Sequence, residues 1–310
     1  MRKLPVIFDC DPGHDDAIAL ILAFAGGKLD IKGVTVTGGN TTLEKALNNA
    51  KKILGFIGRR PPLAAGAARP MFRDLVTAPQ IHGESGLDGP SLPLPDYQEE
   101  PVPAVELMRR LITESADPLT IIATGPLTNL GILFTAFPEA KSNIAQISFM
   151  GGSLGPGNWT AAAEFNIFVD PEAADIVFSS GVPLIMSPLD LTQKALIMGD
   201  EIEALRSLGG GVPVLTAALL DFYFQAYLKR GFPGAALHDP CAVACLTNPE
   251  LFTSRPCHVV VETRGTHTAG MTLGDLRPWS EAAPNVTVNT DIDRPGFIKL
   301  LMEACGSYGI

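Results

Sequence analysis

Four carboxylates fall within eight residues near the start of the chain, in Asp9-Cys10-Asp11-Pro12-Gly13-His14-Asp15-Asp16. The apolar run at residues 4–8 reads as a β-strand and the Ala/Ile/Leu-rich stretch at 15–24 as a helix, so the acids occupy a strand-to-helix turn. Capping and the helix dipole favour Asp15 and Asp16 there, which accounts for two of the four. Four carboxylates converging on one turn repel one another and raise their own pKa values unless a cation neutralises them. Oxygen-only donors favour Ca²⁺ or Mg²⁺, and Ca²⁺ better tolerates an irregular mixture of carboxylates, a backbone carbonyl and water. An EF-hand is excluded, because counting from Asp9 puts His14 at the glycine position and Leu20 where the bidentate Glu belongs. Zinc is disfavoured, since no His or Cys pair has suitable spacing.

Parallel α/β sheets place ligands beyond the carboxyl ends of their strands, so the residues after each strand-like run deserve inspection. The second run, 31–37, ends in Thr37-Gly38-Gly39-Asn40, where glycine permits close approach of a ligand and Asn40 offers both a donor and an acceptor. The third, 118–123, ends in Thr124-Gly125-Pro126-Leu127-Thr128-Asn129, whose free carbonyls suit a hard cation. After the fourth, 144–150, Asn158, Glu164 and Asn166 are interleaved with Trp159 and Phe165, a combination that fits a sugar's hydroxyl edge and apolar face. His82 lies in the Gly-rich Ile81-His82-Gly83-Glu84-Ser85-Gly86, and His238 directly precedes Asp239-Pro240. Both are candidates for acid/base or recognition duty, and Asp239 is either a helix cap or a further cation ligand. His258, in a strand pattern, and His267, in a Thr/Gly turn, are given no role.

The elements that must position these groups follow the same alternation. Strand-like runs at 4–8, 31–37, 118–123, 144–150 and 182–186 are separated by helical segments, among them 15–24, 43–57 and one beginning at 126. A loop at 79–103, rich in Gly, Pro and acids, has the length of a lid or binding loop. Residues 200–227 are helical with a break at Gly209-Gly210-Gly211, and the last third holds a helix near 239–246 and strands near 258–263 and 285–290. The expectation is one α/β domain over residues 1–310, a mostly parallel Rossmann-like sheet flanked by helices, with an appended helical and β section at its C-terminal end. A division near residue 190 is the weaker alternative.

The 310 residues carry 23 Lys and Arg against 33 Asp and Glu, a net charge of −10, and the basic residues cluster only in isolated pairs. Nucleic-acid binding driven by counterion release has little to work with, and a small-molecule substrate is expected. The longest strictly apolar run, residues 17–25, falls short of the roughly 20 residues that a membrane helix needs. No signal peptide is evident, and five scattered cysteines form no disulfide framework or C-x-x-C motif, so a reducing cytoplasmic setting is expected.

In order along the chain, the acidic opening, Gly39-Asn40, His82-Gly83-Glu84-Ser85-Gly86-Leu87-Asp88-Gly89, Gly125-Pro126-Leu127-Thr128-Asn129, Met150-Gly151-Gly152, Gly157-Asn158-Trp159-Thr160, Ala163-Glu164-Phe165-Asn166, Asp170-Pro171-Glu172-Ala173-Ala174 and His238-Asp239-Pro240 resemble the inosine-uridine preferring nucleoside hydrolase family, particularly its bacterial pyrimidine-specific members. The resemblance covers about residues 5–240. It implies that Asp11, Asp16 and Asp239 bind Ca²⁺ through side chains and Thr124 through its carbonyl, and that Asp15, Asn40, Asn158, Glu164 and Asn166 hold the ribose hydroxyls. It further implies that Asp11 takes a proton from a metal-bound water attacking the anomeric carbon through an oxocarbenium-like transition state, with His238 or His82 protonating the leaving base. His82, Tyr223, Gln225 and Tyr227 are the candidates for reading the base, with uridine and cytidine preferred. The resemblance also implies a homo-oligomer, dimer or tetramer. Two other readings of the same residues are a non-catalytic nucleoside-binding protein and an aspartyl-nucleophile phosphatase, the latter poorly matched because Pro12-Gly13 follows Asp11.

Overall fold

In the computed structural model, which describes residues 2–309, the β-branched runs form strands and the Ala/Leu-rich segments form helices. The chain opens with β1 (Leu4–Cys10), α1 (His14–Phe24), β2 (Leu29–Val36), α2 (Leu43–Phe56) and β3 (Leu63–Ala65), followed by α3 (Pro79–His82), α4 (Ala104–Glu114), β4 (Leu119–Ala123) and α5 (Thr128–Ala136). It continues through β5 (Ile144–Met150), α6 (Phe165–Val169), α7 (Pro171–Phe178), β6 (Leu184–Ser187), α8 (Leu189–Thr192), β7 (Leu196–Ile197), α9 (Gly199–Ser207) and α10 (Gly211–Leu228). The last third holds β8 (Ala235–Ala236), α11 (His238–Thr247), β9 (Phe252–Val261), β10 (Thr272–Asp275), β11 (Val286–Ile292) and α12 (Arg294–Gly306).

Nine strands form one sheet in the order β10-β9-β11-β6-β5-β4-β1-β2-β3, and β7 and β8 form a separate small ladder. Pairing is parallel from β3 through β6 to β11, while β9 and β10 add antiparallel strands at the edge. The β strands of the C-terminal section are therefore appended directly to the central sheet, and its helices cover a face.

Strand alternation divides the interior in two. Val6, Phe8 and Cys10 of β1 point into the core shared with α1, α10, α11 and α12, whereas Ile7 points into the core shared with α5 and α7. A parallel sheet covered on both faces needs apolar residues on both sides of each strand, as in β4, where all five residues are buried.

From β1 the chain builds β2 and β3 on one side and β4 to β6 on the other, which makes the gap beyond the ends of β1 and β4 a topological switch point. Two helices packed against each other, α1 and α11, begin there. Burial runs from His14 to Ala23 in α1 and from His238 to Cys245 in α11, so neither shows the apolar stripe of a surface helix. Their first turns carry Asp15, Asp16 and Asp239.

Helix α10 has 18 residues and a mean hydropathy of 1.2, enough by length and composition to cross a bilayer. Fifty-six per cent of it is buried within the fold, as for a core helix. The loop after α3 is anchored on the core by buried Leu87 and Tyr97. Its turn depends on Gly83 at φ +77°, where a Cβ would lie 2.2 Å from the Asp88 carboxylate.

Asp170 ties the outer layer together. Fully buried, it caps α7 by accepting from the Ala173 N–H at 3.1 Å, and also accepts from the Thr128 hydroxyl at 2.8 Å and the Met71 N–H at 2.9 Å. Asp170→Ala removes a cap and leaves two donors unpaired, an expected loss of about 3 kcal/mol. The check is a lower urea midpoint at unchanged slope, and a loss under about 1 kcal/mol contradicts this role.

Candidate active site

The acidic turn divides its labour. Asp9, the last-but-one residue of β1, accepts from Thr35 Oγ1 at 2.6 Å and Asn129 Nδ2 at 2.8 Å, pinning β1 to β2 and α5. Burial pushes its carboxyl up to about 7, against those two hydrogen bonds. Asp9 thus ties neighbouring elements together.

Asp16 is held on both oxygens. Oδ1 accepts from Thr124 Oγ1 at 2.6 Å and the Asp11 N–H at 3.3 Å, and Oδ2 from the Gly13 N–H at 3.0 Å and Asn40 Nδ2 at 3.1 Å. It therefore crosslinks the turns after β1, β2 and β4. Carboxylate oxygens of Asp15, Asp16 and Asp239 lie within 4.8 Å of one another, all three residues buried. Asp11 stands beside them, with Oδ2 accepting from the Asn40 N–H at 2.6 Å and Oδ1 buried without a partner.

This cluster is electrostatically unfavourable as it stands. Burial raises Asp11 well above the usual carboxylate range, helped by Asp16, Asp15 and Asp9. Burial likewise raises Asp239, with Asp15, Asp16 and Asp11 adding repulsion, and raises Asp15, with Asp16 adding to it. The positive ends of α1 and α11 offset part of this cost. A buried, unpaired Asp11 Oδ1 next to three crowded carboxylates is the donor set of a hard divalent cation. The Thr124 carbonyl accepts from Asn166 Nδ2 at 2.8 Å and keeps a second lone pair.

A cavity of about 240 Å³ opens over this floor, lined among others by Asp15, Asn40, Thr124, Asp239 and His82. One wall is the segment after β5. Glu164 caps α6, taking the Gly152 N–H at 2.8 Å and the Ile167 N–H at 3.2 Å on Oε2, and the Asn166 N–H at 2.9 Å on Oε1. Burial nevertheless lifts it to about 7. Asn158 Oδ1 accepts from the Phe165 N–H at 3.0 Å, and Trp159 meets Phe165 edge to face. Asn158, Glu164 and Asn166 all line the cavity, as do Asp15 and Asn40, the other two residues expected on the ribose.

The opposite wall comes from α3, α10 and the start of α11. Tyr223 and Tyr227, one turn apart, share a face of α10 and line the cavity. Gln225 lies on the other side of that helix, exposed in a separate groove with Phe222 and Lys229, which places it away from the cavity. His238 uses both ring nitrogens inside the protein, Nδ1 with Thr192 Oγ1 at 2.7 Å and Nε2 with the Tyr227 hydroxyl at 2.5 Å. Tyr227 in turn lies 3.2 Å from the Tyr223 hydroxyl, completing a chain Thr192, His238, Tyr227, Tyr223. Burial pushes His238 down to about 4 and lowers His82 well below its ordinary value, so both rings are neutral near pH 7.

Sequence reasoning gave Thr192, Gln193, Arg230 and Phe232 no role, although Thr192 backs His238 and the other three line the cavity. Thr192 and Gln193 follow the strand read at 182–186, so the rule of inspecting strand ends, carried one strand further, reaches them.

The fold is that of nucleoside hydrolases. A purine-preferring ribonucleoside hydrolase from Gardnerella vaginalis superposes with a TM-score of 0.91 at 31% identity, over 97% of this chain and 98% of that one. A plant nucleoside hydrolase gives 0.90 at 30% identity, over 98% and 99%. The chain belongs to the inosine-uridine preferring nucleoside hydrolase family, whose model matches residues 6–299, and is accordingly an enzyme, a nucleoside hydrolase. Among similar sequences, the pyrimidine-specific ribonucleoside hydrolase RihA of Photobacterium profundum is 52% identical over 307 residues, 98% of this chain and 99% of the relative. Its namesake in Escherichia coli K12 is 50% identical over 308 residues, with the same coverage. Membership decides against the phosphatase and the non-catalytic binding readings.

Gly39 tests how closely the floor is fitted, because a Cβ there would lie 2.0 Å from Asp11 Oδ2 and 2.7 Å from Pro126 Cδ. Gly39→Ala is expected to displace Asp11 and lower kcat/KM for nucleoside hydrolysis by about 10²-fold, with the melting temperature little changed. Parental activity in a folded variant contradicts that fit.

Proposed function

We propose that this enzyme hydrolyses the N-glycosidic bond of pyrimidine ribonucleosides, uridine and cytidine, to the free base and ribose, with Ca²⁺ as its metal. The observation that carries the reading is the buried group Asp11, Asp15, Asp16 and Asp239 at one end of a cavity walled by His82, Tyr223 and Tyr227. The pyrimidine preference is supported by the two relatives at 50–52% identity, both described as pyrimidine-specific.

Asp11, Asp16, Asp239 and the Thr124 carbonyl are the proposed ligands, and the crowded all-oxygen donors favour Ca²⁺. When bound, the cation supplies Lewis-acid chemistry, neutralising the carboxylates and lowering the pKa of water in the site. Asp11 serves as the general base: the Asn40 N–H orients its carboxylate through Oδ2, and that carboxylate receives the proton of the attacking water. Asp15, Asn40, Asn158, Glu164 and Asn166 hold the ribose hydroxyls, and the carboxylates among them stabilise positive charge growing on the sugar ring.

Both candidate acids for the departing base are neutral imidazoles. His82 faces the cavity, whereas His238 has no free nitrogen and acts through the Tyr227 hydroxyl. The same reading includes a cytoplasmic location and a homo-oligomer. Exposed Val260, Leu273, Leu276 and Trp279, on and beside edge strand β10, support the latter.

Purified protein with Ca²⁺, given uridine, cytidine, inosine, adenosine and thymidine, is expected to release base fastest from the first two, with thymidine poor for lack of the 2′-hydroxyl. Chelation should abolish activity and added Ca²⁺ restore it. Equal rates on purines count against the base preference, and full activity in chelator against the metal. Asp11→Asn should lower kcat by at least about 10²-fold while the protein stays folded, and near-parental turnover rules out Asp11 as the base. His82→Ala should reduce kcat/KM more for pyrimidine than for purine nucleosides; an equal loss removes it from base recognition.

A further inference from the structure

His14, fully buried at the start of α1, has no role in the chemistry described so far, yet two of its atoms meet His82. His14 Nε2 lies 2.8 Å from the Asp88 carbonyl, which can only accept, so the proton of the neutral His14 ring sits on Nε2 and its Nδ1 is a bare acceptor. His82 Nδ1 lies 3.2 Å from that bare Nδ1 and equally 3.2 Å from the His14 backbone N–H. The backbone donor is one of the orphan N–H groups that open a helix, with no intrahelical acceptor. Gly13 permits this approach, since a Cβ there would lie 2.6 Å from His82 Nδ1. His14 itself stacks with the rings of Phe222 and Tyr223, with centroids at 5.1 and 5.7 Å.

His82 therefore has a partner for its inner nitrogen in either neutral tautomer. With the proton on Nε2, Nδ1 accepts from the backbone of His14. With the proton on Nδ1, it donates to the ring of His14. Each form gains one bond and gives up the other. Nε2 has no hydrogen-bond partner among the described residues, and His82 lines the cavity, so Nε2 is placed to meet a ligand as donor in one form and as acceptor in the other.

Uracil and cytosine invert their polarity along one edge. Uridine offers an acceptor at O4 and a donor at N3, and cytidine a donor at N4 and an acceptor at N3. A buried reader of one fixed polarity leaves an unpaired polar group against one of them, a mismatch worth roughly 10⁴–10⁵-fold where a site is built on that bond. We propose that His14 is a positioning residue that keeps both tautomers of His82 available, so that one cavity accepts uracil and cytosine alike. The proposal rests on the pyrimidine reading above.

The test uses the Ca²⁺-loaded protein with carbocyclic uridine and carbocyclic cytidine, which keep base and diol but lack the ring oxygen needed for an oxocarbenium ion. In histidine-¹⁵N-labelled protein, with His82 assigned by its loss in His82→Gln, the two complexes should show opposite His82 tautomers. The same tautomer in both overturns the proposal. His14→Phe retains the stacked ring and leaves His82 only the backbone donor, locking the proton on Nε2. The ratio of kcat/KM for uridine to that for cytidine should then shift at least about tenfold from the parent, and a ratio within twofold overturns the proposal. Failure of the pyrimidine reading is separable: it appears as a parent enzyme that prefers inosine, whatever the tautomers of His82.

Discussion

Repulsion among buried carboxylates is the constraint around which this structure is arranged. Asp11, Asp15, Asp16 and Asp239 converge from two helix starts and one strand end, and burial raises the cost of charge at Asp11, Asp15 and Asp239. The fold answers with fixed dipoles: backbone N–H groups of Gly13, Asn40 and Asp11, side-chain donors from Thr124 and Asn40, and the N-terminal ends of α1 and α11. None of these carries a full positive charge. A hard divalent cation held by these oxygens would supply the balance.

The architecture follows from that need. A switch point separates the ends of β1 and β4, which leaves space where the acids meet. Asp16 then joins the loops after β1, β2 and β4, so the acidic floor of the cavity is also a structural node. Asp9 shows the same economy one residue before the strand ends, using its buried carboxyl to lock neighbouring elements. The opposite end of the cavity obeys a different rule. There tyrosines and imidazoles, linked in a hydrogen-bonded chain from Thr192 through His238 and Tyr227 to Tyr223, take the place of the carboxylates, with Arg230 beside them.

Much of this was legible in the sequence because it is local. The acidic turn, the strand ends and the helical periodicity of α2 are written in consecutive residues. The helix from residue 211 to 228 was placed, but its phase was not: only the packed structure shows Tyr223 and Tyr227 turned inward and Gln225 outward. Short β3 and β10 carry too few residues for a period, and α4 begins just after a proline-rich loop that masks it. The mutual arrangement of His14 and His82, 68 positions apart, depends on how α3 docks on α1 and has no sequence signature.

The most direct test of the account is calorimetric titration of Ca²⁺ into the metal-free protein at pH 7, repeated in buffers of different ionisation enthalpy. Carboxylates raised toward neutrality must shed protons as the ion enters, so one ion per chain should bind with release of protons, and Asp16→Asn should weaken binding at least about tenfold. Absence of binding, or binding with no proton release and no effect of that substitution, contradicts it.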